Sequence, residues 1–314
     1  MPPDQAATNP EAYYRHVSPQ LLARVRQLWS ARGLDLDLAW RVAVRQARGF
    51  LPFRLESPPQ DSRPADLLLL FDQAAIWIHG LQVGVGGAWR LASAGRTTAL
   101  SGDQLRGLLA ILVRLREEIA AVRVLAVTGL PTPAMQIMRS ISEDVDMALV
   151  VLLRPKVARQ FAECRTPEAA GEFWKRHVAG GRAFRAVAEQ LYRVGLDYSE
   201  HSSYARWRRE VQVLLGAAVH TSYVGAGGSG ADVTDCLYFA TLRLQELCIY
   251  SLMLGQALRT DLAAALATAD AAEAAMLRVA LAGGEIVLDQ MRWLTAADEP
   301  AATVSSPAPA PSSG

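Results

Sequence analysis

The sequence predicts an all-α protein, a multi-helix bundle with an N-terminal helical subdomain and disordered termini. Apolar residues recur at spacings of three and four over long stretches, which is the pattern of a helix with one buried face. These stretches begin at Ser, Thr or Asp and end at Gly or Pro, as helices do. Long amphipathic helices joined by short turns bury their apolar stripes on one another, so we expect a bundle.

Residues 18–95 are predicted to form the N-terminal helical subdomain. Residues 1–17 are polar and contain prolines, so we expect them to be disordered. Ser18 is a plausible N-cap for a first helix ending at Gly33, and a second helix is expected over residues 35–48. Four prolines interrupt residues 50–64. A third helix should run from Pro64 or Ala65 to about Gly80, followed by a glycine-rich loop or short strand, "GLQVGVGGAWRLASAGR".

Residues 96–295 are predicted to form the main helical bundle. Ser101 should cap its first helix and Gly129 should end it. Thr132 before Pro133 and Thr166 before Pro167 are typical of further helix starts. The remaining predicted helices cover residues 183–194, 203–223, 234–258 and 262–294, the last with a bend at Gly283 and Gly284. Residues 296–314 have the Pro/Ala/Ser composition of a disordered tail.

Composition excludes several classes of function. The formal net charge is +1, which gives no whole-surface attraction to nucleic acid or to an anionic membrane. Three cysteines, Cys164, Cys236 and Cys248, form no C-x-x-C pair and indicate buried thiols in a reducing compartment. The most apolar stretches are shorter than the roughly 20 residues that a bilayer needs. We therefore expect a cytoplasmic protein with no membrane partner, no metal and no cofactor.

The string "GAGGSG" at residues 225–230 matches G-x-G-x-x-G but lacks the setting of a dinucleotide site. It follows a helical pattern rather than a strand, and no G-K-[ST] follows it. The string is better interpreted as an interhelical loop, with Asp232 or Thr234 capping the next helix. Its role stays open.

The candidate functional residues are Arg139, Glu143 and His220. Arg139 and Glu143 are one helical turn apart, and Asp146 continues the same side. A solvated ion pair is one interpretation; a polar centre facing an internal cleft is the other, because the following "ALVVLL" is apolar all round. His220 is either a core residue whose ring nitrogens are hydrogen-bonded or a general acid or base.

A second basic segment leaves a nucleic-acid partner open. "HSSYARWRRE", residues 201–210, combines aromatic residues with arginines at a helix start. Such a surface contacts phosphates in some proteins, although the scattered arginines of this neutral chain favour a coding bias.

Three motifs in order carry a resemblance to a known family. A long leucine-rich helix is followed by Arg139-Ser140-Ile141-Ser142-Glu143 and, much later, by Val219-His220-Thr221-Ser222. Over residues 100–260 this resembles a family of bacterial helical proteins, the domain of unknown function numbered 5677 (DUF5677). The resemblance implies that Arg139, Glu143 and His220 meet inside the bundle. It implies no activity.

A looser analogy connects the chain with the HEPN helical ribonucleases, which join Arg and His in one short motif. No histidine in this chain has an arginine five to seven residues before it. A site of that kind would therefore need Arg139 and His220 from two different helices.

The sequence thus predicts a binding or sensor module with a buried Arg/Glu/His centre. The alternatives are a metal-independent, HEPN-like ribonuclease or defence-type effector, and a divalent-metal hydrolase using Glu143, Asp146 and His220. Whether the protein is an enzyme, what it binds and whether it forms a homo-oligomer stay open.

Overall fold

A computed structural model describes residues 14–46, 62–196, 203–219 and 232–298. All regular elements within these ranges are helices, and no strand occurs in them, which confirms the predicted all-α class. Residues 14–17 form a turn in which Tyr14 and Val17 are buried, so the disorder predicted for residues 1–17 is wrong for these four. The rest of the two predicted disordered segments, apart from residues 296–298 in the last helix, lies outside the described residues.

The helices vary widely in length. In chain order they are α1 (Pro19–Ser30), α2 (Leu36–Gln46), α3 (Arg63–Ser93), α4 (Gly102–Val127), α5 (Pro131–Leu153), α6 (Pro155–Glu163), α7 (Pro167–His177), α8 (Arg182–Arg193), α9 (Ser203–Val219), α10 (Val233–Leu254), α11 (Gln256–Leu266) and α12 (Ala271–Asp298). A single 3₁₀ turn, Ala179–Gly181, connects α7 to α8.

Four long helices form the centre of the bundle. Helices α3, α4, α5 and α10 close a ring in which each packs against the next, and α10 returns to α3. Helices α11 and α12 cover another face of α3, whereas α6 packs on α4, and α8 and α9 pack on α5. The buried apolar residues of all these helices belong to one hydrophobic core. The boundary predicted near residue 95 therefore runs between helices α3 and α4, which share that core.

Helix α3 corrects the expected loop or strand after Gly80. The helix continues without interruption to Ser93, and its glycines serve close packing instead of turns. A Cβ on Gly80 would lie 2.5 Å from the carbonyl oxygen of Met276, and one on Gly84 would lie 2.8 Å from Leu277 Cδ2. Because such glycines fall on one side of α3, helix α12 can approach it closely.

The full length of α3 also corrects the length argument against a membrane span. Its 31 residues are long and apolar enough to cross a bilayer, and among the described residues it is the one helix of that kind. However, 89% of its most apolar window is buried inside the bundle. Its apolar surface is thus used in contacts with α4, α10 and α12.

Several helix ends follow the predicted chemistry. Ser101 and Gln104 form a reciprocal capping box, Thr166 accepts a hydrogen bond from the Ala169 amide, and Asp232 caps α10. Gly129 adopts φ +75° after α4. Two predictions were wrong. Helix α5 begins at Pro131, before Thr132, and the single helix expected over 262–294 is divided between α11 and α12.

Candidate functional site

A cleft of about 910 Å³ lies between α4, α5 and the segment from α6 to α7. Most of its wall is apolar or aromatic, and five charged side chains interrupt that wall. The aromatic members are Phe161, Phe173 and Trp174, and the charged members are Arg106, Arg114, Glu143, Asp144 and Arg165. Gly107 shapes the inner wall, because a Cβ there would lie 3.1 Å from Val151 Cγ1 and 3.3 Å from Phe161 Cδ1.

Two carboxyl groups share one guanidinium beside the cleft, whose lining includes Arg114 and Asp144 but not Glu118. Asp144 is only 7% exposed. Arg114 Nε lies 3.2 Å from Asp144 Oδ2 and 3.0 Å from Glu118 Oε1. Asp144 Oδ2 and Glu118 Oε2 are both buried and accept no hydrogen bond from the described residues. The group formed by Asp144, Glu118 and Arg114 therefore has more carboxylates than cations.

The surroundings of Asp144 change its acidity. Burial, and then the neighbouring Glu118, raise the pKa of Asp144 to about 7, although Arg114 opposes the change and Glu143 adds to it. A carboxyl group with this pKa changes its charge near neutral pH. It can therefore respond to a ligand or exchange a proton under ordinary cellular conditions.

The predicted pair of Arg139 and Glu143 forms at the edge of this cleft. Arg139 Nε lies 3.4 Å from Glu143 Oε1, and Trp174 Nε1 donates a hydrogen bond of 3.1 Å to Glu143 Oε2. The side chains of Arg139 and Glu143 are 34% and 35% exposed. The pair thus lies near solvent, which corrects the expectation that Arg139 and Glu143 are buried. Glu143 helps to hold Trp174 over the cleft.

The third predicted residue, His220, lies outside the described residues, as does the glycine string 225–230. Helix α9 nevertheless passes close to Arg139. A Cβ on Gly216, four positions before His220 in the sequence, would lie 3.8 Å from Arg139 Nη1. The meeting of Arg139, Glu143 and His220 stays a prediction.

A buried ionic network that the sequence analysis missed is centred on Asp146. Arg208 Nη2 donates to both carboxylate oxygens of Asp146, at 3.0 and 2.8 Å, and Arg243 Nη2 donates to Oδ1 at 2.6 Å. Arg243 also donates to Ser142 Oγ at 3.1 Å and forms an ion pair with Glu246. All five residues are at most 9% exposed. Although burial acts in the opposite direction, the two arginines lower the pKa of Asp146.

This network corrects the hypothesis that Asp146 continues the side of Arg139 and Glu143 as a metal ligand. Asp146 points towards α9 and α10, where two guanidinium groups occupy its oxygens. Among the described ranges, no group of three His, Cys, Asp or Glu side chains is arranged to hold a metal ion. Arg208, considered as a phosphate contact in the basic segment, is instead buried, with Cζ 3.7 Å from the centre of the Phe184 ring.

A second buried pair joins α3 to α4. Arg123 Nε donates to Asp72 Oδ1 at 2.8 Å and Arg123 Nη2 donates to Oδ2 at 3.2 Å, with both side chains fully buried. Asp72 appeared in the sequence only as a charge within an apolar run. This pair lies within the core rather than at the cleft, so its role is structural.

The thiol in the cleft lacks the setting of a nucleophile. Cys164 Sγ donates to the Gln160 carbonyl oxygen at 3.2 Å. Burial and the neighbouring Glu163 raise the pKa of the Cys164 thiol. Since the thiolate is the nucleophilic form, these surroundings disfavour covalent chemistry at Cys164.

No protein-family model, curated protein or solved structure matches this chain. The resemblance to the domain of unknown function numbered 5677 therefore rests on its short motifs alone. The site's own geometry has to carry any functional conclusion.

Proposed function

We propose that this protein is a binding or sensor module that takes a small organic ligand in the cleft between α4, α5 and α7. The observation that carries the proposal is Asp144, a buried carboxyl group that lines a cleft of about 910 Å³ and whose ion-pair partner, Arg114, has a side chain that is 59% exposed. A buried carboxylate is costly to ionise when its cation is largely solvated, and a bound ligand that supplies a further donor or positive charge lowers that cost.

The form of the cleft supports this function. Its volume falls within the range of about 300–1,000 Å³ that is usual for small-molecule sites. An apolar wall with few polar groups is also typical of such sites, since apolar area gives affinity and the polar groups fix orientation. The raised pKa of Asp144 adds a way for the module to report binding, because a ligand that changes this pKa takes up or releases a proton.

Filling the cleft tests the proposal. Ala110 is exposed and lines the cleft, so Ala110→Trp should occupy it without disturbing the core. Ala264→Trp on the exposed side of α11 is the matched control. Calorimetry with 2-phenylethylamine, 3-phenylpropionate and 2-phenylethanol as probes should detect binding that Ala110→Trp abolishes and Ala264→Trp preserves. Equal binding by both variants, or none by the wild type, would refute the proposal.

A second candidate function is a metal-independent ribonuclease, with His220 as general acid or base and Arg139 stabilising phosphate charge. It is supported by the position of Arg139 beside Gly216, close in sequence to His220. Degradation of single-stranded RNA by the wild type, lost in Arg139→Ala and His220→Ala but kept in the exposed control Arg176→Ala, would favour it. Unchanged melting temperatures would have to accompany that loss.

We place either function in the cytoplasm. Cys164, Cys236 and Cys248 are all free thiols, which suits a reducing compartment. Secretion of the folded protein with all three thiols oxidised would contradict this location.

A further inference from the structure

The charges around Asp144, which lines the cleft, are unequal. Glu118 and Asp144 have side chains that are 14% and 10% exposed, whereas the Arg114 side chain that serves both is 59% exposed. Glu143, next in the wall, is already paired with Arg139. Two largely buried carboxyl groups thus face one mostly solvated guanidinium, and the pair lacks one positive charge when both are ionised.

Aromatic rings line the same cleft. Phe161 and Phe173 meet edge to face with ring centres 5.6 Å apart, and Trp174 is fixed by its hydrogen bond to Glu143. The faces of aromatic rings attract cations, and tryptophan does so most strongly. An apolar group fits the same rings through contact area. The attraction of cations to ring faces and the apolar contact with the rings both favour a ligand with a positively charged group on an apolar body.

Two further arginines contribute to the lining of the cleft. Arg106 and Arg165 are exposed, and Arg106 is already paired with Asp103 at 2.8 Å. Solvent screens charges at such positions, so they influence a ligand less than the buried carboxyl groups do. These two arginines therefore do not reverse the preference that the buried carboxyl group of Asp144 sets.

We propose that the cleft selects an organic cation, a protonated amine or amidine on an aromatic or branched apolar body, which places its charge beside Asp144 and its body against Phe173 and Trp174. This inference rests on the proposed function, since it names the ligand class of the same cleft. The cation supplies the missing positive charge and keeps Asp144 ionised. Binding therefore releases a proton wherever Asp144 is protonated in the free protein.

Three probes of similar size separate the effect of ligand charge from that of ligand shape. Calorimetry would compare 2-phenylethylamine, 3-phenylpropionate and 2-phenylethanol on the full chain at about pH 8.5, where Asp144 is ionised. The cation should bind about tenfold or more tightly than the neutral and anionic probes. Asp144→Asn should remove that preference. Glu172→Gln, which deletes an exposed carboxylate of α7 outside the cleft wall, should keep it.

Acid supplies an independent readout. At about pH 5.5 Asp144 is protonated, and the affinity for 2-phenylethylamine should fall about tenfold or more in the wild type but not in Asp144→Asn. Tight binding of the neutral or anionic probe, blocked by Ala110→Trp, would overturn the cation inference and leave the proposed function standing. Absence of binding by all three probes would overturn both.

Discussion

Arg208 of α9 and Asp146 of α5 form a two-point contact in which one guanidinium nitrogen, Nη2, donates to both carboxylate oxygens at 3.0 and 2.8 Å. Arg243 of α10 reaches the same carboxylate. Asp146 therefore ties two helices to α5 at a point where water is excluded. Buried charges of this kind depend on one another, because each would be left uncompensated without its partners.

Replacing Asp146 should strongly destabilise the folded protein. Asp146→Asn leaves two buried guanidinium groups without their shared carboxylate, so we expect a loss of about 3–5 kcal/mol in the free energy of unfolding. Glu143→Gln, at a pair that is one-third exposed, should cost less than about 1 kcal/mol. Urea unfolding of both variants near neutral pH makes the comparison. Similar losses in the two would contradict a compact, water-free network at Asp146.

The pair of Asp72 and Arg123 allows a test by double substitution. Asp72→Leu and Arg123→Met should each cost about 3–5 kcal/mol, because each leaves one buried charge alone. The combined Asp72→Leu/Arg123→Met protein should be more stable than either single variant, since no buried charge then remains. Chemical denaturation gives all three values. Additive losses would mean that the two side chains act independently.

Asp144 should make stability depend on pH in an unusual direction. Its folded pKa of about 7 lies above the value of 3.8 for a free carboxyl. The folded state binds the extra proton between these values, so stability falls as pH rises towards 7, by up to about 4 kcal/mol. Relative to the wild type, Asp144→Asn should therefore gain stability between about pH 5 and pH 8. Parallel stability curves for the two proteins would show that Asp144 is ionised throughout.

His79 acts in the opposite direction and is common to both proteins in that comparison. Burial, and then Arg116, lower the pKa of His79 to about 4. The unfolded chain binds a proton below its ordinary value of 6.5, so this residue removes stability as pH falls towards 4. Taking the difference between wild type and Asp144→Asn cancels the contribution of His79.

Adding a methyl group at Gly80 should destabilise the protein. Alanine is the better helix former by about 1 kcal/mol, yet its Cβ at this position would lie 2.5 Å from the Met276 carbonyl oxygen. We expect Gly80→Ala to destabilise the protein by about 1–3 kcal/mol. Gly171→Ala in α7, where the Cβ meets open space, should stabilise it by up to about 1 kcal/mol. Thermal unfolding distinguishes them, and a gain at both positions would show that α12 does not approach α3 this closely.

The sequence predicted the helices best where local chemistry alone decides them. Ser101 and Thr166 cap helices because a hydroxyl oxygen satisfies free amides of the first turn in the helix that immediately follows. The prediction of a loop or short strand after Gly80 was wrong for the opposite reason. Its glycines are required by α11 and α12, whose residues lie far along the chain, and nothing local distinguishes packing glycines from turn glycines.

The site was predictable only in part. The spacing of Arg139 and Glu143 by one turn is a local relation, and the ion pair forms. Their partner Trp174 belongs to another helix, so no local pattern indicated this contact. Asp144 also went unnoticed, because its raised pKa depends on Glu118 of α4 and on burial that only the assembled bundle provides.

Local sequence patterns were enough to predict an all-helical chain, several helix ends and the Arg139–Glu143 pair, since each depends on residues within about one or two helical turns. Tertiary structure decided which charges are buried, which helices approach closely and where the cleft lies. Those properties arise from contacts between distant segments, and the energy of a charge depends on how much water and which partners those contacts leave around it.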